Sequence, residues 1–127
     1  MHSALNDIAD REYVLLTTFR RTGASVGTPV WVVRDGDDLL VTTGATSGKV
    51  KRLGHTPRVT LAPCDMRGRV LEGAEAVEAT ATVRSDAATR DRVERALSRK
   101  YGVRYKLIRA GQKLSRGTSS SVTLVVN

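Results

Sequence analysis

The segment that follows the apolar run at 39–43 holds the residues whose types and spacing favour chemistry. The run ends in Thr42 and Thr43, and a glycine-containing loop comes next. Ser47 then stands two residues before Lys49 at the start of a short predicted helix. The first turn of a helix presents unpaired backbone N–H groups and a partial positive charge, to which a lysine adds a full charge. These features together predict a site for a phosphate group.

Helical geometry places two cations on neighbouring positions of this predicted helix. At about 100° per residue, Val50 and Leu53 lie about 60° apart and face the core. Lys49 and Arg52 flank that face and are also about 60° apart. We therefore predict a phosphate clamp built from Lys49, Arg52, the Ser47 hydroxyl and the start of the helix. A basic helix whose charges are only solvated has the same spacing, and the residues alone do not separate the two interpretations.

Length and composition limit the class of protein. The chain has 127 residues, of which 40% are hydrophobic and 27% charged, and this suits a single domain, 1–127, rather than two domains or a disordered chain. The apolar runs are too short for a membrane span, and the N-terminus lacks the apolar stretch of a secretory signal. A single cysteine, Cys64, excludes an intramolecular disulfide and a multi-cysteine zinc site. We therefore expect a cytoplasmic protein without a metal site.

The net charge of +8 is concentrated in one segment of the chain. Between residues 84 and 116, eleven basic side chains stand against three acidic ones, which accounts for the whole excess. Such a patch can bind nucleic acid in a salt-dependent way. However, aromatic residues are only 4% of the chain, too few for base stacking, and no helix-turn-helix spacing is present. We expect no nucleic-acid partner, and the solvated side of an amphipathic helix accounts for the arginines at 90–99.

The hydrophobic pattern predicts a small, mainly β barrel. Runs of β-branched and alternating apolar residues indicate six or so antiparallel strands, at 13–19, 25–33, 39–43, 58–62, 77–83 and 122–126. Apolar spacing and capping residues indicate short helices, one after Ser3 and others at 47–55, 86–102 and 103–113. Because strands and helices do not alternate, the pattern does not favour a doubly wound nucleotide-binding fold.

No set of catalytic residues is evident. The sequence has no Ser/His/Asp order, no histidines at metal-ligand spacing and no acidic pair placed for acid/base work. Cys64 is interpreted as a small buried residue, and His2 and His55 as surface residues. The catalytic residues therefore stay unidentified.

Three segments in order carry a family resemblance: LVTTG at 40–44, SGKVKRL at 47–53 and TPRVTL at 56–61. This pattern resembles the split β-barrel family of pyridoxamine 5'-phosphate oxidases, and more closely its actinobacterial branch that uses the deazaflavin coenzyme F420. Segments 13–18, 27–31 and 61–68 support the resemblance, which extends over 13–126. It implies a split β-barrel fold and a homodimer whose cofactor site lies at the subunit interface.

The resemblance also implies which residues bind the cofactor. Lys49 matches the lysine that holds the cofactor phosphate, and Arg67 matches a position that reaches into the partner subunit's site. Where FMN-dependent oxidases usually carry an arginine before the lysine, this chain has Gly48, which favours F420 over FMN. The full implied set is Thr28, Pro29, Val30, Trp31, Thr42, Thr43, Ser47, Gly48, Lys49, Lys51, Arg52 and Arg67.

The resemblance implies an F420-dependent oxidoreductase that transfers a hydride between F420 and an unsaturated organic substrate. Within the same fold, the alternatives are an FMN-binding protein similar to pyridoxamine phosphate oxidase and a non-catalytic carrier of F420 or flavin. F420 also has a polyglutamate tail, for which the basic segment 84–116 offers complementary charge.

Overall fold

One antiparallel sheet of seven strands, curled into a half-barrel, organises the chain. The computed structural model describes residues 3–102 and 121–127. The order of strands in the sheet is β2-β1-β5-β6-β7-β4-β3. The strands are β1 Val14–Phe19, β2 Ser25–Val30, β3 Val33–Asp35, β4 Asp38–Gly44, β5 Arg58–Pro63, β6 Val77–Arg84 and β7 Ser121–Val126, and the helices are α1 Ser3–Ala9, α2 Gly48–Leu53 and α3 Ala87–Tyr101. The predicted mainly β split barrel is confirmed, whereas the predicted helix at 103–113 lies outside the described residues.

The prediction of one strand over 25–33 is wrong, because the chain changes sheet edge at Trp31 and Val32. β2 ends at Val30 on one edge of the sheet, and β3 begins at Val33 on the opposite edge. Two residues span only about 10 Å from strand end to strand start, so the sheet must curl until its two edges are close together. Pro29 is tolerated in β2 because an edge strand has unpaired N–H positions.

The interior of the half-barrel is apolar and follows the alternation of the strands. On β1 the inward side chains at positions 14, 16 and 18 are buried, and Thr18 is the polar member of that set. On β6 the predicted inward positions 77, 79, 81 and 83 all pack against the same core, which confirms the period-two pattern. Leu53 of α2 and Leu5 of α1 fill the same interior. No helix in the ranges 3–102 and 121–127 is long and apolar enough to cross a membrane.

Helix α3 packs on the outer face of the sheet, over β3, β4 and β7. Its buried side chains include the predicted face of Val93, Ala96, Leu97 and Tyr101. Asp86 caps its start by accepting from the Thr89 N–H at 3.0 Å, and Gly102 ends it with a φ of 59°. A second small core therefore lies outside the barrel, between α3 and the sheet.

Candidate functional site

The start of α2 is fixed to the end of β4 by side-chain hydrogen bonds. Ser47 caps α2, and its Oγ accepts from the Val50 N–H at 3.4 Å. The Thr43 hydroxyl donates to the same Oγ at 3.3 Å. Because that oxygen accepts both bonds, the Ser47 proton stays available to donate to an anion. The helix has only six residues, so the charge of the site must come from its side chains rather than its dipole.

Lys49 and Arg52 form a pair of like charges on α2. Burial and the neighbouring Arg52 charge both lower the pKa of Lys49. The Arg52 guanidinium donates from Nε to Thr18 Oγ1 at 2.5 Å. Within residues 3–102 and 121–127, neither cation forms an ion pair with a carboxylate. Two close cations without a counter-charge favour the binding of an anion.

The guanidinium of Arg52 lies over Gly48. A Cβ atom added at Gly48 would stand 2.6 Å from Arg52 Nη1, closer than real side chains approach. A side chain at position 48 would therefore require the end of the Arg52 side chain to move. Lys51 is exposed and lies apart from this arrangement.

The two predicted threonines of β4 lie on opposite faces of the sheet. Thr43 is on the inner side with Val41, whereas Thr42 is exposed on the side of Leu40. Only Thr43 contacts the capping serine. The structure thus brings Thr43, rather than Thr42, to the start of α2.

The predicted residues of the second strand are distributed over both faces of the sheet. Thr28 and Val30 pair with the inward residues of β1, so they face the interior. Pro29 lies on the outer face. Trp31 stacks on Tyr101 of α3, with ring centroids 4.0 Å apart and planes within 6°, and presents an edge to Tyr13. The tryptophan therefore packs toward α3, away from Thr28.

Arg67 lies in a tight turn after β5. The Asp65 carboxylate accepts from the N–H groups of Arg67 and Arg69, each at 2.9 Å, and from Arg69 Nε at 2.8 Å. Hydrogen bonds from Arg69 and Arg67 hold the pKa of Asp65 below its usual value. Gly68, at a φ of 86°, approaches the outer-face side chains of Pro29 and β1. Arg67 is therefore on the outer face, opposite the inward Arg52.

A cavity of about 470 Å³ adjoins this turn, and its lining comprises Arg11, Glu12, Tyr13, Cys64, Asp65, Met66 and Leu71. Two more cavities, of about 350 and 410 Å³, lie along α3. In the part of the chain that the structure describes, no residue of α2 lines any of these three. None of these three cavities therefore provides space for a ring system beside Lys49 and Arg52. What α2 of one chain supplies is positive charge and hydrogen-bond donors.

The basic residues in the segment 84–100, which ends in α3, fall into two groups. Arg84 pairs with Asp86, Arg92 pairs with Asp35 and Asp38, and Lys100 donates to backbone carbonyl oxygens. These three charges are already neutralised or bound within the chain. The second group is Arg90, Arg95 and Arg99, which are exposed.

Sequence reasoning missed Thr18 as a partner of Arg52. The available signal was a polar residue at an inward position of β1, where the other inward residues, Val14 and Leu16, are apolar. A buried hydroxyl at such a position needs a hydrogen-bond partner, and that partner comes from a helix 34 residues further along the chain.

Comparison with known proteins gives one family and several solved structures of similar fold. The family model described as pyridoxamine 5'-phosphate oxidase matches residues 1–126. No curated protein matches the chain in sequence. A conserved hypothetical protein from Mycobacterium tuberculosis has a TM-score of 0.70 at 19% identity, with 98% of this chain and 79% of that chain covered.

Two other solved structures with this fold have described ligands or activities. An F420 reductase gives a TM-score of 0.61 at 16% identity, with 96% of this chain and 90% of that chain covered. The heme storage protein HutZ from Vibrio cholerae gives 0.67 at 12% identity, with 98% and 88% covered. At these identities the similarity establishes a shared fold.

Proposed function

This chain belongs to the pyridoxamine 5'-phosphate oxidase family, and from that premise we propose that it is an F420-dependent oxidoreductase. When bound, the reduced cofactor supplies a hydride to an unsaturated organic substrate, and water supplies the accompanying proton. The role of this chain is to bind the cofactor's phosphate and to orient its ring.

One observation carries the proposal: the Lys49–Arg52 pair has no carboxylate partner in the described part of the chain. A phosphate group relieves the repulsion between the two cations. The Ser47 hydroxyl, whose oxygen already accepts twice, donates its proton to the same anion.

Gly48 supports F420 over FMN. Glycine stands where FMN-dependent oxidases usually carry an arginine, and the guanidinium next to this position comes from Arg52 instead. The exposed arginines of α3 offer charge to the polyglutamate tail, which FMN lacks. FMN is the alternative cofactor, since the family is named for a flavin enzyme.

A homodimer with the site at its interface completes the proposal. Arg67 is exposed in the turn after β5, which lies on the outer face of the sheet, and we propose that it reaches the site of a second chain. Met66, Val70 and Leu71 are exposed beside it, at 68%, 46% and 40%. Exposed apolar side chains of this kind are typical of a contact surface.

Titration with F420 and with FMN, followed by ring fluorescence, tests the cofactor. Wild-type protein is expected to bind F420 more tightly. Lys49→Ala removes a charge-assisted contact worth about 1.5 to 3 kcal/mol, so the Kd should rise about tenfold or more. Arg21→Ala removes the same charge from the exposed β1–β2 turn and is the matched control. Equal affinity of Lys49→Ala and Arg21→Ala would refute the phosphate site.

Turnover separates an enzyme from a carrier. The oxidoreductase should consume reduced F420 when a quinone, an enone or a tetrapyrrole is added. A protein that binds F420 tightly and oxidises it with none of these acceptors is the carrier of our alternative.

Light scattering tests the homodimer. The mass of the protein in solution should be twice that of one chain if the interface proposal is correct. A cytoplasmic location belongs to the same proposal, because the lone Cys64 is a buried free thiol.

A further inference from the structure

The Arg52 guanidinium forms a hydrogen bond with a buried hydroxyl, that of Thr18. Thr18 has no exposed surface and lies on the inner side of β1. Arg52 Nε donates to its Oγ1 at 2.5 Å, joining α2 to the sheet. A flexible arginine side chain is thereby restricted to one position, which reduces the entropy that it loses when it binds a ligand.

The same guanidinium lies against Gly48, in the space that a side chain at that position would enter. The Cβ of an alanine there would stand 2.6 Å from Nη1 and 3.4 Å from both Cζ and Nη2 of Arg52. Gly48 has no positive φ, so its backbone does not require glycine. Alanine would also favour the helix at this position. An alanine at 48 would therefore fit only if the Arg52 guanidinium moved away from its position in this structure.

We propose that Thr18 and Gly48 are positioning residues for anion binding, because together they hold the Arg52 guanidinium beside the Lys49 amine. The identity of the anion as a cofactor phosphate rests on the proposed function, whereas the positioning does not. In this position the Arg52 charge, together with burial as the larger cause, lowers the pKa of Lys49.

Four variants test the positioning. Thr18→Val keeps the shape of the side chain without its hydroxyl, and Thr18→Ser keeps the hydroxyl. Gly48→Ala adds a methyl group in the space of the Arg52 guanidinium and should displace it. Thr17→Val makes the same chemical change one residue away, on the outer face of β1, and is the matched control. Melting temperatures establish that each variant is folded, and Gly48→Ala serves if Thr18→Val does not fold.

Two readouts are measured on each variant. The first is the Kd for F420 and for FMN, which should rise about fivefold to tenfold in Thr18→Val and Gly48→Ala. The second needs no cofactor: the pKa of Lys49, followed by NMR of its side chain, should rise in both variants because the Arg52 charge moves away. Thr18→Ser should recover most of both quantities, and Thr17→Val should match the wild type.

The outcomes distinguish the positioning of Arg52 by Thr18 and Gly48 from the proposed binding of a cofactor phosphate. If the wild type binds neither cofactor and the Lys49 pKa still rises in Thr18→Val and Gly48→Ala, the positioning stands and the proposed function is wrong. If the Lys49 pKa and any measured affinity match the wild type in both variants, the positioning is wrong, whatever the protein binds. A loss in Thr17→Val equal to that in Thr18→Val would also overturn it.

Discussion

Replacing Lys100 by methionine should destabilise the protein, because its amine binds three backbone carbonyl oxygens from different parts of the chain. Nζ donates to the oxygens of Ala9 at 2.7 Å, Arg11 at 2.6 Å and Val32 at 2.6 Å. These contacts join the end of α1 and the break between β2 and β3 to the last turn of α3. Lys100→Met keeps the apolar stem and removes all three donors.

The magnitude follows from the exposure of each contact. A hydrogen bond to a charged group contributes about 1.5 to 3 kcal/mol when it is well buried. The Arg11 contact is exposed, so water replaces much of it, whereas those of Ala9 and Val32 are part-buried. We expect Lys100→Met to lower the free energy of unfolding by about 2 to 4 kcal/mol.

Urea denaturation measures this loss, followed by the emission of Trp31, the single tryptophan. Trp31 stacks on Tyr101, next to the substituted residue, so its emission reports on this region. Lys51→Met, on the exposed side of α2, is the control and should change the free energy by less than about 0.5 kcal/mol. An m-value that stays constant shows that the comparison is valid.

A double-mutant cycle with Tyr101→Phe makes the test stricter. The Tyr101 hydroxyl donates to Glu12 O at 2.7 Å and to the same Val32 oxygen, at 3.3 Å. Because Lys100 and Tyr101 share one acceptor, their losses should deviate from additivity by at least about 0.5 kcal/mol. Additive losses, or a Lys100→Met variant as stable as Lys51→Met, would refute the reasoning.

Two further predictions concern acid stability and the core. Hydrogen bonds from the Thr89 hydroxyl and N–H hold the pKa of Asp86 at about 2, below its usual 3.8, so its stabilising effect is complete above pH 3.8 and is lost as the pH falls toward 2. Asp86→Asn should remove this part of the acid sensitivity in melts recorded across that range, and an unchanged profile would contradict the assignment. Leu16→Ala, at a fully buried position, should cost about 2 to 5 kcal/mol in urea denaturation. Leu15→Ala, on the outer face, should cost much less, and equal losses would mean that the faces of β1 are misassigned.

Local periodicity predicted most elements of the fold. The alternation over 77–83 and the capped helix after Asp86 depend on neighbours within a few residues, so the sequence displays them directly. The break at Trp31 has no clear local signal, because residues 30–33 are all apolar and are equally compatible with one continuous buried strand. It arises from the closure of the two sheet edges, which is a property of the whole sheet.

The candidate site was predictable in its charges and not in its geometry. The helical wheel placed Lys49 and Arg52 on one side of α2, and the lowered pKa of Lys49 agrees with that proximity. The partner of Arg52 comes from a strand 34 residues away, which no spacing rule reaches. In the sequence Gly48 is visible only as a departure from the family pattern, because its closeness to the Arg52 guanidinium depends on the side-chain position of Arg52 in the folded chain.

The position of β7 constrains how the molecule is made in the cell. This strand is the last to be synthesised among those described, yet it pairs with β4 along its whole length and with β6 on its other side. Until residues 121–126 leave the ribosome, β4 and β6 each have an unsatisfied edge, to which chaperones or other nascent chains can bind. Translation must therefore pass residue 126 before the two halves of the sheet can join, and a message truncated upstream yields two open edges instead of a closed half-barrel.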